Sequence, residues 1–206
     1  MRTRTYYSCT IQCDYANADG LKRKHRKAKS NLDKLQKLGA ILIHGVDAMR
    51  INFQGYLQAS KFDRIVFNFP HAGFHGREDS HHLIIYLIFM IRKRRRLVDG
   101  FFYNASSMLR PDGEIHIRHK TYPPFGYWKL EELASWNSLL LVEFVPFRIW
   151  EYPAYVNRRG DGSRSGEPFP SKECSTFKFI LSTAARHYLE RSLTIIIIIE
   201  GLLQGT

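Results

Sequence analysis

The stretch Asn68-Phe69-Pro70-His71 holds the residues of this chain best placed to do chemistry. Proline fixes the backbone and ends the apolar run before it, so the Asn68 amide and a neighbouring carbonyl are held rigidly beyond the strand. A carboxamide carries both donors and an acceptor, the combination that hydrogen-bonds the edge of a planar base. His71 adds a ring that can stack or take up a proton near neutral pH. A plainer reading is equally open at this point: Asn-Phe-Pro ends a strand with a local turn and does nothing more.

Positioning such a turn requires a sheet, and the rest of the sequence supplies the pattern of one. Strand and helix signals alternate, as in a mostly parallel sheet with helices on both faces. Tyr7 to Cys13 reads as a short strand ending at Asp14. Leu21 to Leu38 reads as a helix that stops at Gly39, with Leu32, Leu35 and Leu38 at helical spacing behind a basic first half. Ala40 to His44 and Phe62 to Phe69 read as central parallel strands, the first running out into Gly45-Val46-Asp47. Ser80 to Leu109 is helical in pattern, Gly113 to Lys120 alternates as a strand, and Lys129 to Trp136 is an amphipathic helix. Leu139 to Phe147 and Ser175 to Leu181 read as an antiparallel pair at one edge, joined by a Gly/Pro/Ser/Arg-rich loop from Tyr152 to Lys172. Ligands of open parallel sheets sit beyond the carboxyl ends of the strands. That rule singles out Asp14, Gly45 to Ala48, Asn68 to Gly76, His119 with Lys120, and the Arg158 to Ser163 loop.

Composition narrows the function classes. Lysine and arginine outnumber acidic residues 31 to 19, a net charge of +12, which favours polyanionic partners. The three cysteines have no C-x-x-C spacing and the nine histidines fit no zinc signature, so neither a disulfide framework nor a metal site is expected. A nucleophile elbow, a P-loop and a paired-carboxylate site are all lacking, which speaks against hydrolases and nucleotidases. The run LIIYLIFMI (Leu83 to Ile91) is about half the length a membrane span needs, so it reads as a buried helix segment, or failing that one at a membrane surface. KRKHRK at Lys22 to Lys27 and RKRRR at Arg92 to Arg96 could contact RNA phosphates, direct nuclear import, or form solvated helix faces.

The run FDRIVFNFPHAGFHG (Phe62 to Gly76), with HGVDA before it, GEIHIRHK and PFGYWKLEELA after it, and RRGDG and CSTFKF near the end, closely resembles the eukaryotic 25S ribosomal RNA uridine-N3 methyltransferase-like family. The plant members are most similar, and the resemblance runs from about Lys27 to Phe179. It implies a Rossmann-like α/β domain, S-adenosylmethionine as cofactor, and methylation of a uridine ring nitrogen in large-subunit ribosomal RNA. Carried over by residue, Asn68, Pro70 and His71 form the target-base turn, related to the Asn/Asp-Pro-Pro-aromatic turns of amino-methylating enzymes. Asp47, with Gly45 beside it, lies near the adenine, and Asp14 stands where an acidic residue would hold the ribose hydroxyls. Uridine N3 carries a proton at neutral pH, so His71 is the expected base, with His75 and Asp63 behind it. Lys120, Arg158 and Arg159 are the expected RNA contacts.

The departures set further expectations. Family members begin with a strand and a G-E-G-D-F-S-F-S loop that has no match here, so the first strand is expected to be missing or degraded, leaving its neighbours with open edges. The helix from His81 is longer and more apolar than its counterpart, and nothing after Leu181 is familiar. The chain is therefore read as a Rossmann-like methyltransferase-type domain over residues 1–181 and a tail over 182–206. An intracellular monomer in nucleolus, nucleus or cytoplasm is expected, with ribosomal RNA as partner and no membrane or metal. A catalytically inactive RNA-binding remnant without the cofactor loop is the alternative.

Overall fold

The computed structural model describes residues 9–11, 28–53, 55–58, 60–70, 83–152, 167–168 and 173–189. Strand β1 (Cys9–Ile11) pairs in parallel with β2 (Ile41–Ile43), and helix α1 (Ala28–Lys37) connects them. Four further strands form a separate sheet of order β3-β4-β6-β5, comprising β3 (Phe62–Asn68), β4 (Leu109–Lys120), β5 (Leu139–Pro146) and β6 (Cys174–Leu181). β3 and β4 run parallel across helix α2 (Leu83–Ser107); β6 runs antiparallel between β4 and β5, with helix α3 (Leu130–Trp136) ahead of β5. The expected α/β class and the antiparallel pair at one edge are thus found.

The core explains why these segments adopt these elements. Val98, Phe101, Phe102 and Ala105 recur at helical spacing along α2 and pack on Ile115, Ile117 and Phe179 of the sheet, together with Leu133 and Ala134 of α3. Phe101 meets Phe67 with ring centres 4.6 Å apart, and Phe102 meets Phe179 edge-on at 5.0 Å. A second, smaller cluster of Val46, Ile51, Leu57 and Met108 ties the turn after β2 to β3 through Ile43, Phe62 and Ile65. Residues 183–189 are helical, and Ala185 and Leu189 pack on the main cluster, so the first turns of the expected tail belong to the folded body.

Four details qualify the sequence reading. Among the described residues, Phe62–Asn68 lies at the edge of its sheet, with β4 alone paired to it. Among the described residues, the helices packed on the four-stranded sheet share one face, while the other carries Arg64, Glu114, His116 and Lys178 and leaves Val66 45% exposed. The run expected to be buried, Leu83 to Ile91, instead exposes Ile85, Leu87, Ile88 and Phe89 and buries Met90, since this first part of α2 has no sheet beneath it among the described residues. Finally, the RKRRR segment is partly structural: buried Arg94 lies over the Trp128 ring, and Arg95 donates to the Trp128 carbonyl at 2.8 Å and pairs with Glu132 at 3.2 Å. No helix among the described residues is long and apolar enough to cross a membrane.

Candidate active site

The carboxyl ends of β3, β4 and β5 meet on one rim. The β3–β4 register sets Asn68 opposite Arg118, and the Phe69 N–H extends the ladder to the Arg118 carbonyl at 2.8 Å. Phe69 then adopts a left-handed backbone, φ +48°, which turns the chain into buried Pro70. A non-glycine residue in that region costs roughly 1 kcal/mol or more, so surrounding contacts must hold it. One contact is its ring, edge-on to Phe147 at 6.1 Å.

Arg118 is the centre of this rim. Its Nη1 donates to Asn68 Oδ1 at 2.9 Å and its Nη2 to the Tyr152 hydroxyl at 3.3 Å. The guanidinium lies 5.1 Å from the ring centres of both Phe147 and Tyr152, which stack on each other at 5.5 Å and 28°. Asn68 and Tyr152 are exposed, and so is Trp150, two residues before Tyr152 in sequence and 72% exposed. A carboxamide, a guanidinium and aromatic rings side by side are the groups that stack on and hydrogen-bond an unpaired base.

The next residue of β4 faces the other way and has a different task. His119 is buried against Trp128, ring centres 4.0 Å apart, and faces the Phe125 carbonyl at 3.1 Å. Only an N–H can approach a carbonyl at that distance, so Nε2 carries the proton. Burial, reinforced by the nearby Arg94 and Lys120 charges, pushes the imidazole down to about 4. His119 is therefore neutral at physiological pH and frames the loop ahead of α3. Lys120, expected at an RNA backbone, is also buried: its ammonium donates to the Tyr122 hydroxyl at 3.1 Å and lies over the Phe125 ring, lining a cleft of about 560 Å³ with Lys129 and Phe177. Its stem runs inward because the strand end is covered by the Tyr122–Phe125 loop.

At the end of β2, Gly45 has φ +67° with open space around it. Asp47 Oδ1 accepts the Met49 N–H at 2.9 Å and opens the 3-10 helix Ala48–Phe53, which buried Asn104 of α2 holds by donating to the Met49 carbonyl at 2.7 Å. Asp14, His71, His75, Arg158 and Arg159 lie outside the described residues. Asp63, the reserve base, sits at the opposite end of β3, where it pairs with Arg110 at 3.3 Å; it is too far along the strand to serve Asn68. Among the described residues no cluster of three metal-ligating side chains occurs. Arg118, Phe147 and Tyr152 were not picked out from the sequence. The alternation of GEIHIRHK does put Arg118 on the face of Glu114 and His116, which was the available signal.

The chain is 51% identical over 174 residues to heavy metal-associated isoprenylated plant protein 41 of Arabidopsis thaliana, covering 84% of this chain but 32% of that protein. It is 41% identical to an uncharacterized Arabidopsis thaliana protein, covering 80% of this chain and 77% of the relative. It thus spans about a third of the first relative (32%) and three quarters of the second (77%). An S-adenosylmethionine-dependent methyltransferase of Clostridium acetobutylicum aligns at 11% identity and TM-score 0.44, over 85% of this chain and 83% of that one. Residues 3–159 match the family described as rRNA (uridine-N3-)-methyltransferase BTM5-like, to which this chain belongs.

Proposed function

We propose that this chain carries out S-adenosylmethionine-dependent methylation of uridine N3 in large-subunit ribosomal RNA. The observation that carries the reading is the rim of Asn68, Phe69, Arg118, Phe147 and Tyr152 at the carboxyl ends of three parallel strands, in a chain of this family. An unpaired uridine would stack on the exposed aromatic edge while the Asn68 amide holds its ring. His71, two residues past the turn's left-handed Phe69, is the proposed base for the N3 proton. Arg158 and Arg159 are proposed contacts for the RNA backbone, supported by the net charge of +12.

The residues after β2 suit the nucleoside part of the cofactor. Gly45 leaves open space where a side chain would stand, and Asp47 offers a carboxylate fixed by its own turn. With Asp14, these two would hold the adenosine. When bound, the cofactor supplies an electrophilic methyl group on a sulfonium. The protein's part is to bring N3 into line and to remove its proton, and alignment of this kind accounts for much of the rate in group transfer.

One observation favours a second reading, an RNA-binding domain without activity: among the described residues, β1–β2 and β3 are not joined into one sheet. Titration with S-adenosylhomocysteine separates the two. Saturable binding, competed by S-adenosylmethionine, is expected of the enzyme; no binding at millimolar concentration, with oligonucleotide binding intact, would establish the second reading instead.

A further inference from the structure

We propose that Arg118 decides which side of the Asn68 amide meets a nucleobase, and so makes this rim choose uracil over cytosine. The inference rests on the RNA-modifying reading above and deepens it.

Arg118 Nη1 lies 2.9 Å from Asn68 Oδ1. A guanidinium has donors only, so the amide atom facing it must be the oxygen. With Oδ1 committed, Asn68 turns its Nδ2 outward and offers donors to a ligand. Arg118 is held in this pose from its other side, by the Tyr152 hydroxyl at 3.3 Å and by the stacked Phe147 and Tyr152 rings, both with centres 5.1 Å from the guanidinium. It therefore does not swing away to release the amide. Asn68 is exposed at the strand end, so the outward donors are available.

A donor pair meets a carbonyl oxygen well and an amine badly. Uracil presents O4 beside N3, whereas cytosine presents the N4 amine, which would set donor against donor. The same polarity serves the reaction. When uracil loses its N3 proton, negative charge spreads onto O4, and an N–H backed by the Arg118 cation stabilises it. Arg118 is thus a positioning residue acting through Asn68. A rim with Oδ1 turned outward would favour an amine instead.

The test is fluorescence anisotropy of single-stranded oligouridine and oligocytidine, with the full chain and two variants at one salt concentration. The unsubstituted chain is expected to bind oligouridine about fivefold more tightly, the worth of one hydrogen bond. Asn68→Asp keeps one oxygen on Arg118 and turns a second acceptor outward, so the preference reverses toward oligocytidine. Arg118→Met frees the amide to rotate, and the two affinities come within about twofold of each other while both fall. A purely structural Arg118 would weaken both ligands and leave their ratio unchanged. Equal binding by the unsubstituted chain, or an Asn68→Asp ratio that does not move, overturns the inference; retained S-adenosylhomocysteine binding then leaves the methyltransferase reading standing. Failure to bind either oligonucleotide overturns the inference and the RNA substrate together.

Discussion

Replacing His119 with Gln should remove a large part of the pH dependence of folding. In the folded chain burial holds the imidazole at about 4, against an ordinary value near 6.5. The unfolded chain therefore takes up a proton at pH values where the folded chain does not. Stability from this group is complete above pH 6.5 and declines as pH falls toward 4, with a slope of ~1.4 kcal/mol per pH unit and a total on the order of 3 kcal/mol. Gln retains an N–H to donate to the Phe125 carbonyl but loses the ring contact with Trp128, which costs about 1 kcal/mol. The two stability curves should therefore cross: His119→Gln is less stable at pH 7.5 by ~1 kcal/mol and more stable at pH 4.5 by ~1–2 kcal/mol. Urea unfolding followed by circular dichroism between pH 7.5 and 4.5 measures this. His116, also lowered by burial, adds a slope of the same sign to both proteins, and Glu114, lowered by its hydrogen bond to His116, acts only below its ordinary range. Neither affects the difference. Parallel curves would refute the claim that His119 is folded in its neutral form.

Two further substitutions probe how the rim and the β2 turn are held. Gly113→Ala would bring a Cβ to 2.8 Å from the Phe62 carbonyl and from Leu109 Cδ2, so β3 must move against β4; a loss of ~1–3 kcal/mol in urea unfolding is expected, with weakened oligouridine preference. Asn104→Ala leaves the Met49 carbonyl without its 2.7 Å donor, so ~1 kcal/mol of stability and several-fold S-adenosylhomocysteine affinity should be lost as the Asp47 turn loosens.

What could be read from the sequence follows from the range of the forces involved. Alternation in GEIHIRHK and helical spacing in KLEELA are local, and those elements formed where expected. Position in a sheet is not local. The apolar run Phe62 to Phe69 looks central, yet its place at an edge depends on which other strands reach it. Charge is equally ambiguous. Arg94 and Arg95 look like any basic helix face until Trp128, more than thirty residues away, packs beneath them. Lys120 reads as a solvent-facing cation, and only the fold of the Tyr122–Phe125 loop over it shows otherwise. The Arg118–Asn68 hydrogen bond joins residues 50 positions apart, so no window of sequence contains it.

The register of β3 on β4 is what makes one strand serve two purposes. Successive side chains of a strand point to opposite faces, so Ile115, Ile117 and His119 enter the core while Glu114, His116 and Arg118 face away from it. A slip of one residue would drive Arg118 into the aromatic cluster and expose Ile117, so the fold must forbid it. It does so at the start of the strand. Phe62 pairs with Leu109, but Arg64 pairs with Glu114, and the extra residues of β4 are taken up in a bulge closed by Gly113 against the Phe62 carbonyl. The Arg110–Asp63 and Arg64–Glu114 pairs flank that bulge at 3.3 Å, but both are exposed and so contribute little energy. The constraint is steric: without a side chain at position 113 the two strands close, and Asn68 then falls opposite Arg118 and no other residue.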